Sequence, residues 1–155
     1  MSAEILDIST PEGLVDAYLN HGVTRASVHG ITDEELEAVY AQALDALDQG
    51  LFDEAMGDLV FLVTHQPMDN RFQYNMGFCL QSLADFTAAA SHYAYAMTLD
   101  ATDALCAFRM AECLLAMDDR EAARDGFEAA IQLSYLNADD EDLRQQAQAQ
   151  LDLLN

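Results

Sequence analysis

The residue types that most often carry catalysis are present in this chain, but they do not stand in catalytic spacings. None of the histidines belongs to an HExxH pattern or to another metal-ligand spacing. There is no glycine-rich phosphate loop, and without lysine the chain has no Schiff-base chemistry. We therefore predict a protein that is not an enzyme and that needs no cofactor and no metal. The histidines are His21, His29, His65 and His92.

The charge of the chain excludes several classes of partner. It has 28 acidic residues against 6 arginines, a net charge of −22 and a pI near 4.1. Such a field repels nucleic acid and anionic membrane surfaces. No apolar run approaches the length of a membrane span, and MSAEILDIST lacks the pattern of a secretory signal. Three cysteines without CxxC spacing are typical of reduced, buried thiols, so we predict a cytoplasmic protein that does not insert into membranes.

Aromatic residues, in contrast, recur at a fixed spacing. Tyr40, Tyr74 and Phe108 are each separated by 34 residues. The stretch YNMGFCLQSLADF, from Tyr74 to Phe86, carries large apolar residues on more than one face of a predicted helix, although a core helix needs only one apolar stripe. Such a helix is either wholly buried or has a second apolar contact. Two further rows at the same spacing are Leu44, Phe78, Glu112 and Leu47, Gln81, Leu115.

The period of 34 extends through most of the chain. Small residues align at Ala43, Gly77 and Ala111, where two helices of a pair would cross closely. Pattern and period resemble the tetratricopeptide repeat, a helix-turn-helix unit that stacks into a superhelical array. We predict an all-α fold in one domain, 1–155, with repeats at 36–69, 70–103 and 104–137. Other rows in this register are Ala55, Ala89, Ala123 and Leu59, Tyr93, Phe127.

Capping signals bound the repeats on both sides. Thr10-Pro11-Glu12 predicts the start of an N-terminal helix that ends near Gly22, within an N-terminal segment at 1–31. Thr32 and Glu35 have capping-box spacing and open the first repeat helix. Acidic residues at 139–141 favour the start of a last helix, which reaches about Leu154 and caps the array in segment 138–155.

In a superhelical stack, the first helix of each pair lines the inner curve. A single aromatic on a helix is usually a core residue, and that interpretation stays open here. Three aromatics in a row on this face favour a groove that holds an extended apolar peptide, because tyrosine offers a large contact area at low entropic cost. Repeats that clamp a terminal carboxylate use lysines on this face, and this chain has none.

The order of motifs also resembles a specific family. LNHGVTRASVHGITDEELEAVYAQAL precedes repeats that contain YNMGFCLQSL and FRMAECLLAMDD. Over about 12–154 this order is similar to the class II chaperones of bacterial type III secretion, the SycD/LcrH type. His21-Gly22-Val23 departs from the double glycine of many members. The resemblance implies a cytosolic bacterial chaperone that binds an extended N-terminal segment of a secreted hydrophobic translocator, commonly through two prolines flanking a leucine.

The resemblance also implies roles for individual residues. Arg71 and Gln81 would bond to the backbone of the partner. Family members dimerise through the N-terminal helix, here through Leu14, Val15, Tyr18 and Leu19. The remaining partner-binding residues, which would line the apolar pockets, are Tyr40, Leu44, Leu47, Tyr74, Phe78, Phe108 and Leu115.

Two other hypotheses remain open at this point. The last stretch, AIQLSYLNADDEDLRQQAQAQLDLLN, is similar to chaperones that escort a secreted effector by the same groove. A scaffold that binds a folded partner is the other alternative, and its groove would be indifferent to short peptides. The identity of the partner decides between them.

Overall fold

A computed structural model describes residues 7–155, and all regular structure in that range is helical. This confirms the predicted all-α class. The N-terminal residues 1–6 of the predicted leading segment lie outside the described residues. The helices are α1 (Pro11–His21), α2 (Arg25–Val28), α3 (Asp33–Asp48), α4 (Phe52–His65), α5 (Asn70–Ser82), α6 (Phe86–Leu99), α7 (Ala104–Ala116), α8 (Arg120–Ser134) and α9 (Glu141–Leu154), with a 3-10 turn at Ala138–Asp140 before α9.

The long helices after α2 pack as antiparallel neighbours in chain order. We call α3–α4, α5–α6 and α7–α8 the first, second and third pairs, and α9 packs against α8 at the end of the array. The limits 36–69, 70–103 and 104–137 for the individual repeats stay a prediction.

The predicted helix starts are confirmed by their caps. The Thr10 hydroxyl accepts a hydrogen bond from the Gly13 N–H at 3.1 Å, with Pro11 at the first helical position. Thr32 and Glu35 form the expected capping box at the start of α3. The short helix α2 was not predicted, although Thr24 caps it through Ser27.

Part of the acidic excess has a structural role. Asp69 and Asp103 cap the first helices of the second and third pairs, and Asp85 and Asp119 cap the second helices of the same pairs. The two sets each keep the spacing of 34 residues. A carboxylate at this position satisfies a free N–H and complements the positive end of the helix.

A glycine permits the tight crossing within the second pair, as predicted. A Cβ added to Gly77 would lie 2.8 Å from the ring of Tyr93, which is closer than two carbon atoms approach. Tyr93 is fully buried and therefore needs this space. The third pair achieves the same approach from the opposite helix, because a Cβ on Gly126 would lie 2.8 Å from the Cβ of Ala111.

The turn within each pair contains one residue in the left-handed conformation. These residues are Gly50, Ala84 and Asp118, with φ of 72°, 62° and 63°, and they are separated by 34 residues. The first pair therefore uses glycine where the others place a side chain in a region that L-residues rarely adopt.

Candidate functional site

An open pocket crosses the first helices of the three pairs. Its volume is about 310 Å³, and we call it the inner groove. Because it is formed by α3, α5 and the start of α7, its walls come from equivalent faces of successive pairs. The lining residues are Tyr40, Leu44, Asn70, Arg71, Tyr74, Asn75, Asp103 and Leu105.

Tyr40 forms one wall of the inner groove. Its ring is half-buried and packs against Phe72 at 5.1 Å between centroids, while the Arg71 guanidinium lies 5.1 Å from the ring centroid. The Asn75 side chain donates a 3.0 Å hydrogen bond to the Tyr40 hydroxyl. The hydroxyl keeps its own proton for another acceptor. Tyr40 therefore offers a fixed aromatic face and a free donor.

Tyr74 occupies the equivalent place on α5. Its ring is half-buried and packs against Tyr93 with the centroids 5.6 Å apart. Burial raises the pKa of Tyr74, and the nearby Arg109 guanidinium opposes that rise. One turn further along α5, Phe78 is also half-buried and lies under Arg109 at 5.5 Å. The two rings make a continuous apolar surface along α5.

Arg71 is held by the protein's own carboxylates. It forms ion pairs with Glu37 at 2.6 Å and with Asp69 at 2.7 Å, and these partners raise its pKa. Both contacts leave the side chain half-exposed at the groove edge, so we assign them little stability. The predicted role of Arg71 in bonding to a partner stays a prediction.

Gln81 uses both ends of its amide within the fold. Its Oε1 accepts a 2.8 Å hydrogen bond from the Tyr93 hydroxyl, and its Nε2 donates to Glu112 at 3.0 Å. Glu112 also accepts a 3.0 Å hydrogen bond from Arg109. The predicted contact between Gln81 and a partner backbone would have to break or share one of these bonds.

Two predicted pocket residues belong to the core instead. Phe108 is 4% exposed and packs edge-on against Phe127 at 5.4 Å, and Leu47 is 7% exposed. The prediction that these side chains line the groove is therefore wrong, because each is covered by its own helix pair and its neighbours. Leu44 and Leu115 are half-buried and pack along the edges of two core clusters.

Sequence reasoning missed Asn75, Arg109 and Glu112. Asn75 and Arg109 are 34 residues apart, and each directly follows a member of the aromatic row. Each lies beside the tyrosine hydroxyl of the preceding pair, Tyr40 for Asn75 and Tyr74 for Arg109. Extending the register by one position would have found them.

The N-terminal helix presents apolar residues beside a second, larger opening. A cleft of about 840 Å³ separates α1 from the ends of α4 and α6. Leu14, Val15 and Leu19 line one side of it, and Leu19 is 71% exposed. Tyr18 is also exposed and faces a small pocket next to it. Dimerisation through these four residues stays a prediction.

The thiols have no reactive environment. Cys79, Cys106 and Cys113 are buried and unpaired. Burial raises the pKa of Cys113 to about 11 and that of Cys106 to about 12, so both stay protonated at neutral pH. This confirms the predicted reduced core thiols. Among residues 7–155, His, Cys, Asp and Glu side chains do not gather in groups of three that could hold a metal ion.

The helices between residues 7 and 155 were also compared with the requirements of a membrane span. None combines the length and the hydropathy that a bilayer crossing needs.

Comparison with known sequences identifies relatives across most of the chain. Low calcium response locus protein H of Yersinia pestis is 26% identical over 133 residues, which is 86% of this chain and 79% of the relative. Chaperone protein SicA of Salmonella typhimurium is 29% identical over 136 residues, 88% of this chain and 80% of the relative. No family model matches the sequence.

Comparison with solved structures gives the same group. A type III secretion complex from Aeromonas hydrophila matches with a TM-score of 0.84 at 28% identity, covering 90% of this chain and 93% of that one. The translocator chaperone SycD of Yersinia enterocolitica gives 0.79 at 25% identity, covering 85% and 98%. PcrH bound to the chaperone-binding region of PopD gives 0.79 at 29% identity, covering 81% and 94%. Sequence and fold together confirm the predicted family: this chain is a relative of the SycD/LcrH-type, class II chaperones of type III secretion.

Proposed function

We propose that this protein is a type III secretion chaperone that binds an extended segment of a secreted hydrophobic translocator in the inner groove. The protein would act in the bacterial cytosol, without catalysis, and would keep its client soluble and competent for export. The observation that carries the proposal is the half-exposed aromatic surface of Tyr40, Tyr74 and Phe78 on the first helices. The relative PcrH, which binds the chaperone-binding region of PopD, supports it.

The physical mechanism follows from the groove. A translocator contains apolar segments that aggregate when they are exposed to water. Rings on a helical scaffold cover part of that surface while the client chain stays extended. Ordering an extended chain costs entropy, so affinity depends on a few aromatic anchors and release at the export gate remains feasible. The net charge of −22 keeps the chaperone itself soluble.

The proposal is tested by purifying the tagged chain from its native host under mild conditions and identifying bound proteins by mass spectrometry. We expect a secreted protein with long apolar segments. A secreted protein without such segments would favour the effector chaperone, with the groove unchanged. Folded housekeeping proteins alone would contradict both and leave a scaffold.

The same purification tests the groove residues. The double substitution Tyr40→Ala with Tyr74→Ala should reduce client recovery by about tenfold or more, since buried aromatic anchors dominate such interfaces. Tyr135→Ala is the matched control, because Tyr135 is 65% exposed at the end of α8, outside the groove. Circular dichroism must show that both variants stay helical; an unfolded double variant would instead identify the two tyrosines as core residues.

A further inference from the structure

The inner groove contains two arginines with different bonding states. Arg71 donates four hydrogen bonds of 2.6 to 3.3 Å to the carboxylates of Glu37 and Asp69. A guanidinium has five N–H donors, so Arg71 is almost fully used within the fold. Arg109 donates from Nη1 to Glu112, and within the described residues its buried Nε has no acceptor. The spare donor capacity of the groove therefore lies on Arg109.

The orientation of Arg109 is fixed by a short network. Glu112 Oε2 accepts hydrogen bonds from both Arg109 and Gln81, at 3.0 Å each, and Gln81 is in turn held by the buried Tyr93 hydroxyl. The guanidinium also lies 5.5 Å from the centroid of the Phe78 ring. This network positions Arg109 while most of its N–H groups remain available.

The location of Arg109 matches what a bound extended chain requires. It lies between the Tyr74 hydroxyl and the Phe78 ring, on the aromatic surface proposed to bind the client. A client whose side chains contact these rings brings its main-chain carbonyls away from water. Such carbonyls need donors, and the N–H groups in the middle of a helix are already bonded. The side chain of Arg109, which is 31% exposed, can supply them.

Resting on the proposed function, we propose that Arg109 recognises the main chain of the client by donating to a carbonyl of the bound segment. A client carboxylate is the other acceptor that arginine favours. The surrounding carboxylates of Glu37, Asp69 and Glu112 oppose it, as does the net charge of the chain. Arg109 is therefore assigned to neutral carbonyls, and the groove selects an apolar segment without acidic residues beside its anchors.

The first test uses overlapping synthetic peptides that span the chaperone-binding region of PopD, labelled for fluorescence anisotropy. For the tightest peptide, we expect Arg109→Gln to weaken binding about tenfold or more, the loss typical of a charge-assisted hydrogen bond. Arg71→Gln is the matched control and should weaken binding less than about threefold, because an exposed ion pair contributes little. Arg109→Lys should restore part of the affinity. Equal losses for Arg71→Gln and Arg109→Gln would overturn the inference.

A second test requires no folded variant other than the wild type for its main result. Amide bonds of the tightest peptide are replaced one at a time by esters, whose carbonyl is a weaker acceptor. We expect one position at which the ester weakens binding to the wild type but has no effect on Arg109→Gln. Identical ester profiles for the two proteins would overturn the inference, as would tighter binding of a peptide that carries aspartate at this position. Failure of every peptide to bind the wild type would contradict the proposed function itself, an outcome distinct from wild-type binding that Arg109 does not affect.

Discussion

The second and third helix pairs contain the same ring pair in the same register, but only the second presents it to the groove. Tyr74 packs on Tyr93 at 5.6 Å, and Phe108 packs on Phe127 at 5.4 Å, exactly one repeat of sequence later in each case. Tyr74 remains half-exposed, whereas Phe108 is 4% exposed. The repeat period thus fixes where a ring is attached, while its exposure depends on other properties.

Two physical differences separate the pairs. The Tyr74 hydroxyl needs a polar neighbour and finds it in the Arg109 guanidinium at the groove surface. Phe108 has no polar group and belongs to a core cluster that includes Ala147 and Leu154 of α9. The third pair therefore uses its aromatic residue to attach the end of the array, and the second uses the equivalent residue for a surface that can bind.

The largest expected effect that tests this comparison is that of Phe108→Ala. Truncating a buried phenylalanine leaves a cavity, so we expect a loss of about 3–5 kcal/mol in the free energy of unfolding, measured in urea. Tyr40→Ala on the first pair should cost clearly less, because its ring is half-exposed. Similar losses for the two variants would contradict the assignment of Phe108 to the core and Tyr40 to the groove.

How far the sequence predicts this molecule depends on the type of signal. The caps at Thr10 and Thr32 and the small residue Gly77 were predictable because each reflects local geometry with one physical cause. The exposure of Phe108 was not, because it depends on contacts with Phe127 and α9 that a register alignment does not contain.

The groove shows the same limit for polar residues. Gln81 and Arg71 were selected by their positions on the first helices, yet both are largely bonded within the fold. Their donors are used by residues on neighbouring helices, and a single sequence does not indicate such pairings. Arg109 differs only in lacking a second carboxylate, a property that appears once the side chains are placed.

A second prediction concerns the support of the Tyr74 ring pair. Gly77→Ala would place a methyl group 2.8 Å from the Tyr93 ring, so the pair must separate. We expect a loss of about 1–3 kcal/mol in unfolding free energy, the usual cost of overpacking.

Gly57→Ala provides the matched control for that measurement. Gly57 also lies in a helix, but a Cβ there meets no atom within 4 Å. It should raise the free energy of unfolding by about 1 kcal/mol through helix propensity alone. A stabilising Gly77→Ala would contradict the close approach of α5 and Tyr93.

The smallest expected effect compares the turns of the three pairs. Ala84 has φ of 62° where the first pair has Gly50, so its Cβ is held in the unfavourable left-handed region. Ala84→Gly relieves this strain but increases the entropy of the unfolded chain, and we expect a net gain of about 0.5–1 kcal/mol in the free energy of unfolding. Asp118→Gly should gain less, because aspartate tolerates this conformation better than alanine does. Ala41→Gly, at an exposed position inside α3, should instead destabilise by about 1 kcal/mol. If Ala84→Gly destabilised the protein as Ala41→Gly does, the turn of the second pair would not have the left-handed geometry that its position in the repeat implies.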